Sequence, residues 1–317
     1  MNTRRAALAI AALVVAITGA AGLAGATPPA KNGRIAFTRF GLGAGVQTSQ
    51  IFVTNANGAD ERRITQPPSG YGDDLPDWSP DGSRLVFQRC ALSGGACLVW
   101  SVNPDGTAPR RLSPSCPSGA TSPACVDDRS PVYSPDGRRI AFVRSTARAV
   151  LMLSGAKLRR ARRVPGLASF RGSPYGVAWS PNGKRLVFAS VNEDRRALYV
   201  VGANGTGLKR LTPWSLEAGG RPDWSPDGKR ILFRSHSNRL GGFGVDLYTV
   251  RPNGTGLSRL THLPSSERVL GGSYSPDGRS IVFSTTDIVV MRADGTGIRP
   301  VTRSENWEGS PDWGSRR

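Results

Sequence analysis

Histidine is nearly missing from this 317-residue chain: there are two, His236 and His262, with four cysteines and three methionines. Two lone histidines read as loop residues rather than a metal centre, and no Cys-x-x-Cys spacing offers a zinc ligand pair. Acids are scarce as well, 23 Asp and Glu against 42 Lys and Arg, for a formal net charge of +19. The acidic doublets Asp73-Asp74 and Asp127-Asp128 lack the spaced ligands of an EF-hand loop. No Gly-x-Ser-x-Gly elbow supports an α/β-hydrolase nucleophile. No nucleic-acid-binding motif accompanies the positive charge. Catalytic residues, metal and cofactor are therefore all expected to be none.

One long apolar run exists. Arg4 and Arg5 precede Ala6 to Ala26, which ends in Ala24-Gly25-Ala26. A basic start, an apolar middle and an A-x-A-like end describe a secretory signal peptide over 1–26, with an uncleaved anchor as the competitor. A linker over 27–32 follows, and the remainder is expected outside the cytoplasm: periplasmic, envelope-associated or secreted. Cys90, Cys97, Cys116 and Cys125 agree with export, where structural disulfides persist. Cys90 with Cys97 would staple a hairpin and Cys116 with Cys125 would close the next loop, while the other two pairings stay open.

What the chain has in quantity is a repeat. "RPDWSPDGKRILFRS" from Arg221 returns as "LPDWSPDGSRLVFQR" from Leu75, "SPVYSPDGRRIAFVR" from Ser130, "YGVAWSPNGKRLVFAS" from Tyr175 and "GGSYSPDGRSIVFST" from Gly271. A truncated "SPDWG" stands at Ser310. The aromatic anchors Trp78, Tyr133, Trp179, Trp224, Tyr274 and Trp313 recur every 40 to 55 residues or so, the period of propellers and solenoids. Ser-Pro-Asp-Gly suits a type I turn followed by a left-handed glycine, a three-residue hairpin loop. The Ile-x-Phe segment after it is short, apolar and bounded by breakers, a strand signal. A second hairpin follows, as in "DLYTVRPNGTGLSRLT" from Asp246; the third copy is worn, over Val150 to Val164.

One unit is thus four antiparallel strands, A to D, and such units arranged radially are propeller blades. The first unit begins at strand B (Gly33-Arg34-Ile35-Ala36-Phe37) with no A strand, and the orphan Ser-Pro-Asp-Trp near the C-terminus supplies it. The reading is all-β: a six-bladed propeller over 33–314 whose first blade is closed from both chain ends, removing an open edge.

These phrases resemble the TolB-like β-propeller family, whose repeats read Trp-Ser-Pro-Asp-Gly-Lys and later Asp-Gly-Thr-x-x-x-x-Leu-Thr. The resemblance covers Gly33 to Gly314 and implies the propeller fold; with strand B beginning so soon after the expected cleavage point, the α/β domain that precedes the propeller in TolB is not expected here. Fold alone does not assign function, which lives in sites grafted on folds.

Candidate sites fall on the two faces of the ring. Lys and Arg cluster after the A–B turns and in the D strands, on one face, with the densest run at Lys157, Arg159, Arg160, Arg162 and Arg163. Edge protection explains such charges, and attraction to anionic envelope material is the functional alternative. The opposite face carries irregular B–C and D–A loops holding Tyr71, Asp73, Asp74, Asp127, Asp128, Trp214, Glu217, Trp307 and Glu308. Aromatics and acids near a channel mouth suit a partner-binding rim; the bland alternative is blade-end cover with solvated acids. Asn204-Gly205-Thr206 and Asn253-Gly254-Thr255 match glycosylation sequons, but their recurrence as C–D turns is explained by turn geometry. The expectation is a monomeric, non-catalytic exported scaffold for a protein or anionic envelope partner, with no nucleic acid involved. The alternative is a channel-mouth carbohydrate lyase or hydrolase using loop carboxylates and a metal.

Overall fold

The structure is a computed structural model that describes residues 30–43, 46–114, 126–145, 150–155, 158, 160–235, 245–264, 267 and 269–316. The proposed leader over 1–26, Cys116, Cys125, Lys157, Arg159 and His236 lie outside the described residues.

The strands follow the repeat. They are β1 (Lys31–Gly43), β2 (Val46–Thr54) and β3 (Arg62–Arg63); then β4 (Tyr71–Trp78), β5 (Leu85–Ala91), β6 (Cys97–Val102) and β7 (Arg110–Arg111). Next come β8 (Asp127–Tyr133), β9 (Arg139–Ser145), β10 (Val150–Gly155) and β11 (Arg162–Arg163). The fourth set is β12 (Ser173–Trp179), β13 (Arg185–Asn192), β14 (Arg195–Gly202) and β15 (Lys209–Arg210). After a 3₁₀ turn at Trp214–Leu216 come β16 (Ala218–Trp224), β17 (Ile231–Ser235), β18 (Asp246–Val250) and β19 (Ser258–Arg259). The last are β20 (Gly271–Tyr274), β21 (Ser280–Ser284), β22 (Ile288–Arg292), β23 (Arg299–Pro300) and β24 (Trp307–Arg316).

They form six four-stranded antiparallel sheets, five from consecutive strands and one in the order β24-β1-β2-β3. Blade 1 is therefore built from both ends of the described chain. Ile35 pairs with Trp313 and Phe40 with Trp307, and the Trp313 indole donates to the Gly33 carbonyl at 3.3 Å. The A strands β4, β8, β12, β16, β20 and β24 touch one another in sequence around the ring, so they form its inner wall.

The core sits between blades. The Ile-x-Phe strands supply Phe37, Phe87, Phe142, Phe188, Phe233 and Phe283, all fully buried. Removing one such ring costs ~3–5 kcal/mol. The aromatic anchors pack beside them, with Trp313 in one cluster with Phe37 and Val282 of blade 6.

The A–B hairpins differ from the expected loop by one residue. Ser79 and Arg84 close the hairpin, with Arg84 N also donating to Ser79 Oγ, so four residues lie between them. Asp81 accepts from Ser79 Oγ and Ser83 N, and Gly82 takes the left-handed φ of 65°. The serine hydroxyl occupies a backbone donor that a three-residue loop leaves facing the bulge. Glycine at the C–D turn has another cause, the close approach of the preceding blade. A Cβ on Gly106 would stand 2.9 Å from the Ile64 carbonyl oxygen, and on Gly295 2.5 Å from that of Leu260.

Candidate functional site

At the loop-face end of the A strand, five residues ahead of the aromatic anchor, blades 1 to 3 carry Glu308, Asp73 and Asp128. Each lies across from an arginine two residues past the buried phenylalanine: Arg39, Arg89 and Arg144. Arg89 forks onto Asp73 at 2.6 and 2.8 Å, Arg144 onto Asp128 at 2.7 and 2.9 Å, and Arg39 Nε reaches Glu308 at 2.7 Å. The guanidinium carbons stand 5.4 to 5.7 Å from the Phe37, Phe87 and Phe142 ring centres. A hydroxyl from the preceding blade completes each set. Ser113 donates to Asp128 at 2.8 Å, Thr302 donates to Glu308, and Thr65 bonds Asp73. Burial pushes the Asp73 and Glu308 carboxyls above their ordinary values, and the arginines oppose it.

These three acids were expected on an open rim. They are instead wholly buried and act as clasps between successive blades. The other acids are engaged too. Asp74 accepts from Thr38 Oγ1 of blade 1 at 2.7 Å, and Asp127 accepts the Cys97 N–H at 2.9 Å and pairs with Arg129. Glu217 lies 4.0 Å from Arg196, and its N–H donates to Trp214 O. The sequence-level error has a simple cause. Glu308, Asp73 and Asp128 stand in strands rather than loops, opposite arginines on the neighbouring strand.

The aromatics divide. Trp307 and Tyr71 begin the inner strands of blades 1 and 2 and are 63% and 43% exposed, with exposed Leu92 nearby in the blade 2 B–C hairpin. Trp214 is half-buried on the outer flank of blade 4, edge-on to Tyr199 and beneath Arg210 at 5.0 Å. It stands apart from the channel mouth. Cys90 and Cys97 are paired in register and joined by a disulfide.

The channel holds a group that sequence reading passed over. Pro-Asp-Trp recurs in blades 1, 2 and 5, and its carboxylates Asp312, Asp77 and Asp223 reach the channel wall. In the first two blades a β-bulge precedes it, with Ser310 and Leu75 at φ 52° and 56°. Such a bulge bends the strand and re-aims its side chains. Each acid accepts the anchor N–H of the next blade: Trp78 to Asp312 at 2.7 Å, Tyr133 to Asp77 at 2.8 Å and Tyr274 to Asp223 at 2.7 Å. Arg221, from blade 5, crosses to the opposite blade, donating to Pro76 O at 3.1 Å and standing 3.8 Å from Asp77. The cavity between these residues is about 30 Å³. Burial pushes Asp77 and Asp312 up with Arg221 opposing, and burial raises Asp223 to about 7. The signal for this group was the Pro-Asp ahead of the anchor, visible in three repeats.

On the turn face Arg160, Arg162 and Arg163 are exposed; His262, in the D–A loop that leaves blade 5 on the opposite face, is exposed as well. Several cations of this face hold structure: Arg84 bonds Asn103, Ser101 and Ala108 O, and Arg299 bonds Ala56 O. The Asn204 and Asn253 side chains cap their own turns. No group of three His, Cys, Asp or Glu suited to a metal occurs among the described residues.

A closed ring of six four-stranded blades, clasped between neighbours, defines a six-bladed β-propeller. The family described as the TolB beta propeller domain matches residues 120–315, and the chain belongs to it. A dipeptidyl-peptidase 5 from Aspergillus fumigatus is 29% identical over 157 residues, covering 44% of this chain and 20% of that protein. The Tol-Pal system protein TolB 1 of Novosphingobium aromaticivorans is 36% identical over 75 residues, 24% of this chain and 16% of its own. The chain thus spans about a fifth or less of the curated relatives it matches. The crystal structure of TolB from Acinetobacter baumannii superposes with a TM-score of 0.68 at 18% identity, covering 89% of this chain and 66% of that one. That likeness is one of fold.

Proposed function

We propose that this chain is an exported scaffold, leader over 1–26 and linker over 27–32 ahead of a propeller over 33–314, that docks a protein partner of the cell envelope on its loop face. The observation that carries the reading is the pair Trp307 and Tyr71, exposed at 63% and 43% on a framework held at that end by the buried Glu308, Asp73 and Asp128. Rigid aromatics on a preorganised surface supply binding energy at low entropic cost. The Cys90–Cys97 disulfide and the kinship to a Tol-Pal system protein support an extracytoplasmic setting. The test is capture from envelope extract by the full chain. Trp307→Ala with Tyr71→Ala is expected to lose the partner and Trp214→Ala, on the outer flank, to keep it. Undiminished capture by the double variant removes the loop-face reading.

One observation favours a second reading, a channel-mouth enzyme: Asp223, raised to about 7, has the protonation behaviour of a general acid. Against it stands the cavity at Asp223, of about 30 Å³, room for a water or two rather than a sugar ring. Reducing-sugar release from envelope polysaccharide, abolished by Asp223→Asn, would establish this second reading.

A further inference from the structure

Two grooves between blades on the turn face differ in charge. One, of about 580 Å³, lies where blades 1 and 2 meet and is lined by Arg34 and Arg316 together with Asp60 and Asp81. The other, of about 760 Å³, runs from blade 3 across blade 4 to blade 5. Its charged lining is Arg139, Lys184, Arg185 and Lys209, with no carboxylate among the lining residues. None of these four forms an ion pair among the described residues.

The four cations are not alike. Arg139 is fixed, stacked 4.5 Å over the Trp179 ring with Nη2 donating to Gly183 O at 3.4 Å. Lys209 is tied to the far wall through Asn253 O at 3.0 Å. Lys184 and Arg185 stand exposed between them on the A–B turn of blade 4. Asp136, in the turn beside Arg139, is occupied by Ser134 Oγ and Arg138 N and does not line the groove. Two held cations at the walls and two exposed cations between them form a concave positive track. Without opposing carboxylates, their field is focused by the walls of the groove.

We propose that this groove binds a flexible polyanion with a repeating phosphate group, laid from blade 3 to blade 5. The volume exceeds what one phosphate fills and falls in the range of a ligand of several units. Lysine and the arginine fork both match phosphate oxygens. A flat lipid surface would meet Lys184 and Arg185 on the turn, whereas a chain laid along the groove also reaches Arg139 and Lys209 at its two walls. The site is on the face opposite Trp307 and Tyr71, so it stands or falls apart from the loop-face reading.

The test uses the full chain with short inorganic polyphosphate as probe, read by calorimetry. Lys184→Glu with Lys209→Glu is expected to weaken binding at least tenfold. The control, Arg34→Glu with Arg316→Glu, changes net charge equally in the other groove and is expected to change affinity less than threefold. Binding should also weaken from 50 to 200 mM salt, since exposed charges are screened over ~8–10 Å in this range. Equal losses in the two double variants would reduce the effect to net charge and overturn the proposal, as would no binding of polyphosphate by the unaltered chain. Anionic phospholipid vesicles bound as tightly as polyphosphate, and unaffected by the groove variant, would overturn it in favour of a membrane surface.

Discussion

Blades 1 to 3 and blades 4 to 6 share a backbone plan, yet their loop-face ends are built differently. In the first half the acid-arginine positions hold Glu308 with Arg39, Asp73 with Arg89 and Asp128 with Arg144. In the second half the same positions hold Pro174 with Ser190, Gly219 with Ser235, and Val269 with Thr285. The first half is therefore joined at this end by buried charge shared between neighbours. The second half relies more on apolar packing, as in the cluster that joins Ala178, Leu198, Trp224 and Phe233. It also relies on the single carboxylate hold from Asp223 to the Tyr274 N–H. Repetition fixes the turns of a propeller, and variation at one strand position decides how adjacent blades are held.

Breaking a clasp gives the largest expected effect. Asp128→Ala strands Arg144 and leaves Ser113 without its acceptor, and loss of one partner of a buried pair costs about 3–5 kcal/mol. Ser190→Ala, at the matching arginine position of blade 4, is expected to cost under about 1 kcal/mol. Urea unfolding with an unchanged m-value measures both, and equal costs would erase the distinction between the halves.

The pH response comes next. Burial pushes the Asp223 carboxyl from the ordinary aspartate range up to about 7, so between the two the native state holds a proton that the unfolded chain has released. Its contribution to stability is complete below the unfolded value and disappears as pH rises through about 7. A loss of a few kcal/mol between pH 5 and 8 is expected, with amide exchange quickening first in blades 5 and 6. Asp223→Asn should flatten that slope; a slope unchanged in this variant assigns the titration elsewhere.

Smaller still is the covalent staple. Replacing Cys90 and Cys97 together by serine is expected to cost ~2–3 kcal/mol by loop-entropy reasoning, measured as a lower thermal midpoint. The smallest effect is at Trp307, 63% exposed, where alanine should change stability by no more than ~0.5 kcal/mol. Native stability together with lost partner capture would separate binding from folding at that residue.

Much of this architecture was legible in the repeat. The Ser-Pro-Asp-Gly turns, the Ile-x-Phe strands and the returning Ser-Pro-Asp-Trp tail are local signals, and pairing of Trp313 with Ile35 follows from them. The candidate site was legible only in part. Trp307 and Tyr71 are exposed, whereas Trp214 packs on the outer flank and Asp73, Asp128 and Glu308 are buried. Strand alternation was the missing step, since the acids lie before the aromatic anchor in strands that the sequence presented as loops.

By itself the sequence determined the blade count, the turn chemistry, the apolar strand between blades and the excess of positive charge, because each depends on residues close along the chain. Tertiary structure alone decided which charges meet. Arg221 reaches Asp77 across the axis, Ser113 meets Asp128 across a blade boundary, and four cations share a groove from which carboxylates are absent among the lining residues. Those encounters join residues from different repeats, and ring closure is what brings them within a few ångströms.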